Sequence, residues 1–226
     1  MALTNILVLG DSGTGKTAWL KEKISAGEGN YVIVDLYGEY KEVRKALIQK
    51  GYTIHILCLA EGAALYQEML HDLLKKEKQA LFLNAPQDAY ADAALARACI
   101  QTIMDYALTL PGETKSVFCF LDDAAMLGKL PGLAEQLPQL AANGMHMALA
   151  FQKIWQVYEL YGKTLLVSEC FPTVVYTGGT DVDAQEFITD HYSIDKRIFP
   201  LKEDQMLVCM KKSASVQSKK KKSYEK

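Results

Sequence analysis

The stretch Ile6-Leu7-Val8-Leu9-Gly10-Asp11-Ser12-Gly13-Thr14-Gly15-Lys16-Thr17 decides how this chain is read. Four apolar residues run straight into a glycine-rich turn, and a helical pattern follows from about Lys16. Gly10 to Thr17 matches G-x-x-x-x-G-K-[ST]. The glycines let the backbone of Gly10, Asp11, Ser12, Gly13, Thr14 and Gly15 curve tightly enough to aim several N–H groups at phosphate oxygens. The helix behind them adds the positive end of its dipole. In this reading Lys16 reaches the β- and γ-phosphates and the Thr17 hydroxyl binds Mg²⁺. ATP with Mg²⁺ is therefore the expected ligand.

Outward from this loop, apolar strands alternate with helical patterns. Strands are expected at Tyr31–Val34, Thr53–Leu59, Ala80–Leu83, Val117–Leu121, His146–Phe151, Thr173–Tyr176 and Gln205–Met210. Helices are expected over Glu39–Lys50, Glu68–Lys78, Asp88–Leu108, Gly132–Ala142, from Trp155, and over Val182–His191. Such alternation predicts an α/β domain with a mostly parallel sheet and helices on both faces. The continuous apolar run at Val117–Leu121 has the character of a central parallel strand.

Composition agrees with a globular domain: half of the 226 residues are hydrophobic and 23% charged. No stretch approaches eighteen uninterrupted apolar residues, and the N-terminus lacks the basic region of a signal peptide, so a cytoplasmic protein is expected. Five cysteines lie among apolar neighbours without a C-x-x-C pair, the pattern of reduced buried thiols. The four histidines are scattered, with no metal-site spacing. From Lys211 onward seven lysines face one glutamate, a charge of +6 that leaves −8 on the first 210 residues. Residues 1–210 are thus expected to form the nucleotide-binding domain and 211–226 a disordered basic tail. That tail could contact DNA phosphates or an anionic membrane.

Hydrolysis needs a second, acidic site. Val117 to Leu121 ends in Asp122-Asp123. An aspartate at the end of a buried strand holds Mg²⁺ through water, and an adjacent carboxylate polarises the attacking water. Asp122 is the candidate magnesium aspartate and Asp123 the candidate base. Gln152, directly after the strand His146–Phe151, is placed either to sense the γ-phosphate or simply to start a helix in solvent.

With these pieces in order, the chain resembles the TraG/TraD family of type IV secretion coupling proteins, within the FtsK/HerA group of DNA-pumping ATPases. The phosphate loop is one point of likeness. Asp35-Leu36-Tyr37-Gly38-Glu39 with the later Gly51-Tyr52-Thr53-Ile54-His55-Ile56-Leu57 resembles the family's D-P-K-G-E and G-Y-x-V-x-V-L segments. Leu121-Asp122-Asp123-Ala124-Ala125-Met126-Leu127-Gly128-Lys129-Leu130-Pro131 resembles L-D-E-F-A-N-L-G-K-I-P. Gln152, Tyr161-Gly162 and Thr177-Gly178-Gly179 are similar to Q-S-x-x-Q-L…Y-G…L-G-G. The resemblance implies a RecA-like sheet in which the Gln152 strand lies between the phosphate-loop strand and the Asp122 strand, bringing Gln152 to the γ-phosphate. It also implies a homo-hexameric ring engaging DNA, beside conjugation and secretion machinery at the inner face of a membrane; the sequence offers no base-reading motif, so that engagement is expected to be non-sequence-specific. The likeness is to a compact form, without membrane helices or the family's helical insert.

Two departures bear on activity. Asp123 stands where the family has Glu, one methylene shorter. Leu140-Ala141-Ala142-Asn143-Gly144-Met145 carries no arginine where the family reads R-x-R-G-I. An arginine offered to a γ-phosphate accelerates hydrolysis by ~10³-fold or more, so its loss argues against fast, ring-coupled turnover. A DNA-transfer ATPase is the leading expectation, and a nucleotide-binding adaptor that assembles with such a complex is the alternative. A small P-loop kinase fits less well, because Arg44, Arg97 and Arg197 are too scattered for an arginine-bearing lid.

Overall fold

A computed structural model describes residues 4–26, 29–58, 67–84, 89–110, 115–163, 170–210 and 213–219. The elements in chain order are β1 (Ile6–Leu9), α1 (Lys16–Ala26), β2 (Asn30–Asp35), α2 (Lys41–Gln49), β3 (Thr53–Cys58), α3 (Gln67–Lys75), β4 (Gln79–Asn84) and α4 (Ala89–Leu108). Then follow β5 (Val117–Leu121), α5 (Ala124–Leu127), α6 (Leu133–Ala142), β6 (Met145–Phe151), α7 (Ile154–Tyr161), β7 (Thr173–Tyr176), α8 (Val182–Tyr192), β8 (Gln205–Met210) and β9 (Ser213–Ser218).

The nine described strands form one sheet in the order β3-β4-β2-β5-β6-β1-β7-β8-β9. β3 to β7 along this order pair in parallel, while β8 runs antiparallel to both its neighbours. The expected mostly parallel sheet is present. β6 lies between β1 and β5, with Leu9 beside Phe151 and Leu121 beside Leu149. The ends of β1, β5 and β6 therefore open on the same edge, as the resemblance implied.

Side chains alternate across the sheet. Ile6 and Val8 face one layer, where Trp19, Leu20 and Ile24 of α1 and Val43 and Leu47 of α2 cover them. Leu7 and Leu9 face the other, packed with residues of α4, α6, α7 and α8. Both faces are thus dry, which is why β1, β2 and β5 are buried along their whole length and read as continuous apolar runs. Pro138 lies inside α6 and cannot donate to the carbonyl of Ala134; the Cys170 thiol donates there instead, at 3.6 Å.

The expectation of a disordered tail over residues 211–226 is corrected at Ser213–Ser218; residues 211–212 and 220–226 lie outside the described residues. Ser213–Ser218 pairs with β8 along its full length, so the ordered sheet extends past Met210. The segment is polar, but an edge strand needs only backbone partners, and β8 presents an otherwise open row of them. Sequence polarity signalled exposure there, not absence of structure. The lysines at 211, 212, 220–222 and 226 lie outside the described residues.

Candidate functional site: a phosphate loop facing an acidic strand end

The loop Gly10–Gly15 joins β1 to α1. It is braced from the neighbouring strand: Asp11 N–H donates to Gly178 O at 3.1 Å, and Thr177 N–H to Leu9 O at 2.8 Å. The Thr14 hydroxyl lies 2.7 Å from that of Thr177. Gly10 has φ of 154°, and a Cβ there would fall 2.2 Å from Thr177 Oγ1. Gly179, at φ of 126°, approaches Asp11 so closely that a Cβ would fall 2.5 Å from its Cγ. Glycine is required at both positions. The Thr177-Gly178-Gly179 segment, noted in the sequence only as a resemblance, is the brace of the phosphate loop.

Asp11 forms an ion pair with Lys153 Nζ at 2.6 Å and accepts from Thr180 N–H and Oγ1 at 2.9 and 3.1 Å. Burial pushes its pKa up, but the bonds from Lys153 and Thr180 outweigh this and hold it below the usual carboxylate range. Asp11 is therefore a structural anion that locks the loop to β6 and β7.

Lys16 is buried, with Nζ donating to Gly10 O at 2.7 Å and Asp11 O at 3.0 Å. Burial lowers its pKa, against the opposing fields of Asp123, Asp122 and Asp11. A cation held only by backbone carbonyls under the rim of a loop is ready to exchange those partners for phosphate oxygens.

Asp122 and Asp123 follow β5. Asp122 accepts a hydrogen bond from the Tyr40 hydroxyl at 3.0 Å and one from Thr17. Burial is the main cause of its raised pKa; the charge of Asp123 adds to the rise, while the two hydrogen bonds and Lys16 oppose it. Asp123 adopts a left-handed backbone, φ 50° and ψ 51°, at the start of α5. Its Oδ1 accepts from Gln152 Nε2 at 3.4 Å. Lys16, Thr17, Asp122, Asp123 and Gln152 thus come together from three strand ends.

Tyr40 was missed in the sequence. Asp35 at the end of β2 explains its place: Asp35 Oδ1 accepts from Glu39 N–H at 2.7 Å and Oδ2 from Tyr40 N–H at 3.2 Å. That turn aims the phenol at Asp122. The signal available was the Asp35…Glu39 segment itself, read as a likeness without a role.

The residues present fit a magnesium nucleotide. A Cβ on Gly13 would meet nothing within 4 Å, so the loop opens to free space. The Thr17 hydroxyl and the Asp122 carboxylate are hard oxygen donors of the kind Mg²⁺ takes beside phosphate and water. A cleft of about 1100 Å³ continues from Ser12–Gly15 past Trp19 to Leu201, Met206 and Lys219, large enough for a base and ribose.

Residues 116–193 match a protein-family model described as the TraM recognition site of TraD and TraG. The matched segment is similar to that family. It holds β5, Asp122, Asp123, the Leu127–Pro131 loop, β6, Gln152 and the brace after β7. No curated protein matches the sequence. Among solved structures, the plasmid coupling protein TrwB in complex with ADP and Mg²⁺ is 16% identical, over 95% of this chain and 84% of that one, with a TM-score of 0.72. VirB4 of Thermoanaerobacter pseudethanolicus is 10% identical, over 97% and 90%, at 0.61. The genome packaging NTPase B204 of Sulfolobus turreted icosahedral virus 2, in complex with AMPPCP, is 11% identical, over 96% and 97%, at 0.59. At these identities the likeness establishes the fold alone, that of the RecA-like P-loop NTPases. Among the described residues no helix is long and apolar enough to cross a membrane.

Proposed function

We propose that this chain binds Mg²⁺-ATP and hydrolyses it as the ATPase domain of a DNA-transfer machine of the conjugative coupling type. The observation that carries the reading is the convergence of Lys16 and Thr17 with Asp122, Asp123 and Gln152 at the ends of β1, β5 and β6. The TraG/TraD-type segment supports the choice of machine.

In this reading the loop N–H groups and Lys16 hold the phosphates, while Thr17 and, through water, Asp122 hold the metal. Bound magnesium supplies neutralisation of charge on the phosphate oxygens. Asp123 takes a hydrogen bond from a water molecule and Gln152 fixes that water's orientation, so that it can attack the γ-phosphorus as the bond to the β-phosphate oxygen breaks. ADP and phosphate leave, and the water's proton passes to Asp123 or solvent. The three arginines are engaged elsewhere: Arg44 over the Phe82 ring, Arg97 with Leu127 O, Arg197 with Asp195. An accelerating arginine would have to come from another subunit or protein.

Non-sequence-specific DNA binding, assembly into a hexameric ring, and work beside secretion components at the inner membrane face belong to the same proposal. The test is steady-state ATP hydrolysis with and without single- and double-stranded DNA, beside Lys16→Ala. DNA-stimulated turnover lost in the variant supports the motor. Nucleotide binding without turnover sinks it and leaves a nucleotide-gated adaptor.

A further inference from the structure

β9 ends beside the phosphate loop. Lys219, directly after it, is anchored by its own N–H to Asp204 O at 2.7 Å. Its side chain does not run into solvent. It reaches back across the cleft, so that a Cβ built on Gly15 would lie 3.9 Å from Lys219 Cδ, and one built on Gly178 would lie 3.9 Å from Nζ. The ammonium donates to Glu203 O at 2.8 Å. Burial in this position lowers its pKa, against the opposing fields of Asp204 and Glu203.

Lys219 therefore lines the cleft that also holds Ser12–Gly15, Thr177–Thr180 and Trp19. The residues of the acidic strand end, Asp122 and Asp123, do not line that cleft. Lys16 thus approaches the loop from beneath its rim, and Lys219 from the side of the cleft.

We propose that Lys219 is a nucleotide-binding residue: a cation supplied within the chain by the C-terminal edge strand, which leaves Glu203 O for the diphosphate part of a nucleotide seated on Gly13–Gly15. It rests on the reading of the phosphate loop as a nucleotide site. The geometry favours this over a passive surface role: the side chain passes Gly15 and ends in a carbonyl-bound ammonium beside Gly178, where it gains charge–charge attraction when phosphate arrives. It also gives β9 a purpose: the strand carries its terminal lysine to the loop.

The test is calorimetric binding of ADP and, separately, of adenosine to the full chain and to Lys219→Ala, Lys219→Arg and Lys16→Ala, with the apo melting temperature of each. A charge-assisted contact to phosphate predicts that Lys219→Ala weakens ADP binding about tenfold. Adenosine binding and apo melting temperature stay unchanged. Lys219→Arg restores most of the affinity, and the difference between wild type and Lys219→Ala narrows as salt rises. ADP bound equally by wild type and Lys219→Ala, with Lys16→Ala impaired, overturns the role of Lys219 and leaves the nucleotide site intact. Absence of ADP binding to the wild-type chain overturns both.

Discussion

The Tyr40 hydroxyl donates to Asp122 Oδ2 at 3.0 Å, across 82 residues of sequence, and so joins the Asp35–Tyr40 turn to the acidic end of β5. Tyr40 itself is buried, with Lys21 Nζ 5.2 Å from its ring centroid. It acts on the proposed chemistry by holding the carboxylate, not by touching substrate. Tyr40→Phe keeps the packing and removes the bond. The expected outcome is about tenfold weaker Mg²⁺-dependent binding of ATP, with Mg²⁺-free nucleotide binding unchanged. A magnesium titration at fixed nucleotide measures it; equal magnesium dependence in both proteins would contradict the positioning role.

Asp122 carries a pH signature. Its pKa is raised in the folded chain, chiefly by burial, so the fold holds its proton more tightly than the unfolded chain does. The stability this group contributes is fully present below the ordinary carboxylate pKa, about 4, and is lost as pH rises through the raised folded value. Once ionised, the buried carboxylate therefore costs stability, as functional groups often do. Asp122→Asn should melt higher than wild type at pH 7, with the gain shrinking as pH falls towards 4, and should lose the magnesium dependence of binding. Melting curves across that range decide it; a folded variant that melts lower at pH 7 would count against the account.

Asp123 occupies a left-handed backbone that costs most residues about 1–2 kcal/mol. Asp and Asn tolerate it better than others, so Asp123→Asn keeps the turn and removes only the charge. ATP turnover should fall about 100-fold or more, as for loss of a general base, with affinity within about threefold. Asp123→Gly should melt higher than wild type while also losing turnover. Turnover preserved in Asp123→Asn would remove Asp123 from the chemistry.

Most of the sheet was legible because β1, β4, β5, β6 and β7 are buried along nearly their whole length and are therefore largely apolar. Thr173–Tyr176 and Gln205–Met210 were read to the residue. The loop glycines and the aspartate pair could be placed from the sequence because the first follow β1 directly and the second follows β5 directly. What was not legible depends on contacts between distant segments. The Tyr40–Asp122 bond, the Asp11–Lys153 pair and the Thr177–Thr180 brace arise only when neighbouring strand ends meet. β9 escaped notice because Ser213–Ser218 carries no apolar face; its pairing with β8 is a property of the exposed backbone edge.

That edge yields its own expectation. A chain ending at Met210 would leave β8, where Leu207 and Cys209 are buried, paired only with β7 and open along its other edge. Such a truncation should lower the melting temperature and promote association at raised concentration, measured by thermal unfolding and light scattering. A truncation that melts like wild type and stays monodisperse would restore the disordered-tail reading of Ser213–Ser218.

In the proposed function the phosphate loop and the acidic strand end form one Mg²⁺-ATP site. Calorimetric titration of ATP into the wild-type chain, Lys16→Ala and Asp122→Asn, each with and without Mg²⁺, tests it most directly. The expected result is saturable one-site binding to wild type that magnesium strengthens, loss of binding in Lys16→Ala, and binding indifferent to magnesium in Asp122→Asn. Failure of the wild-type chain to bind ATP, or binding that neither substitution alters, would contradict it.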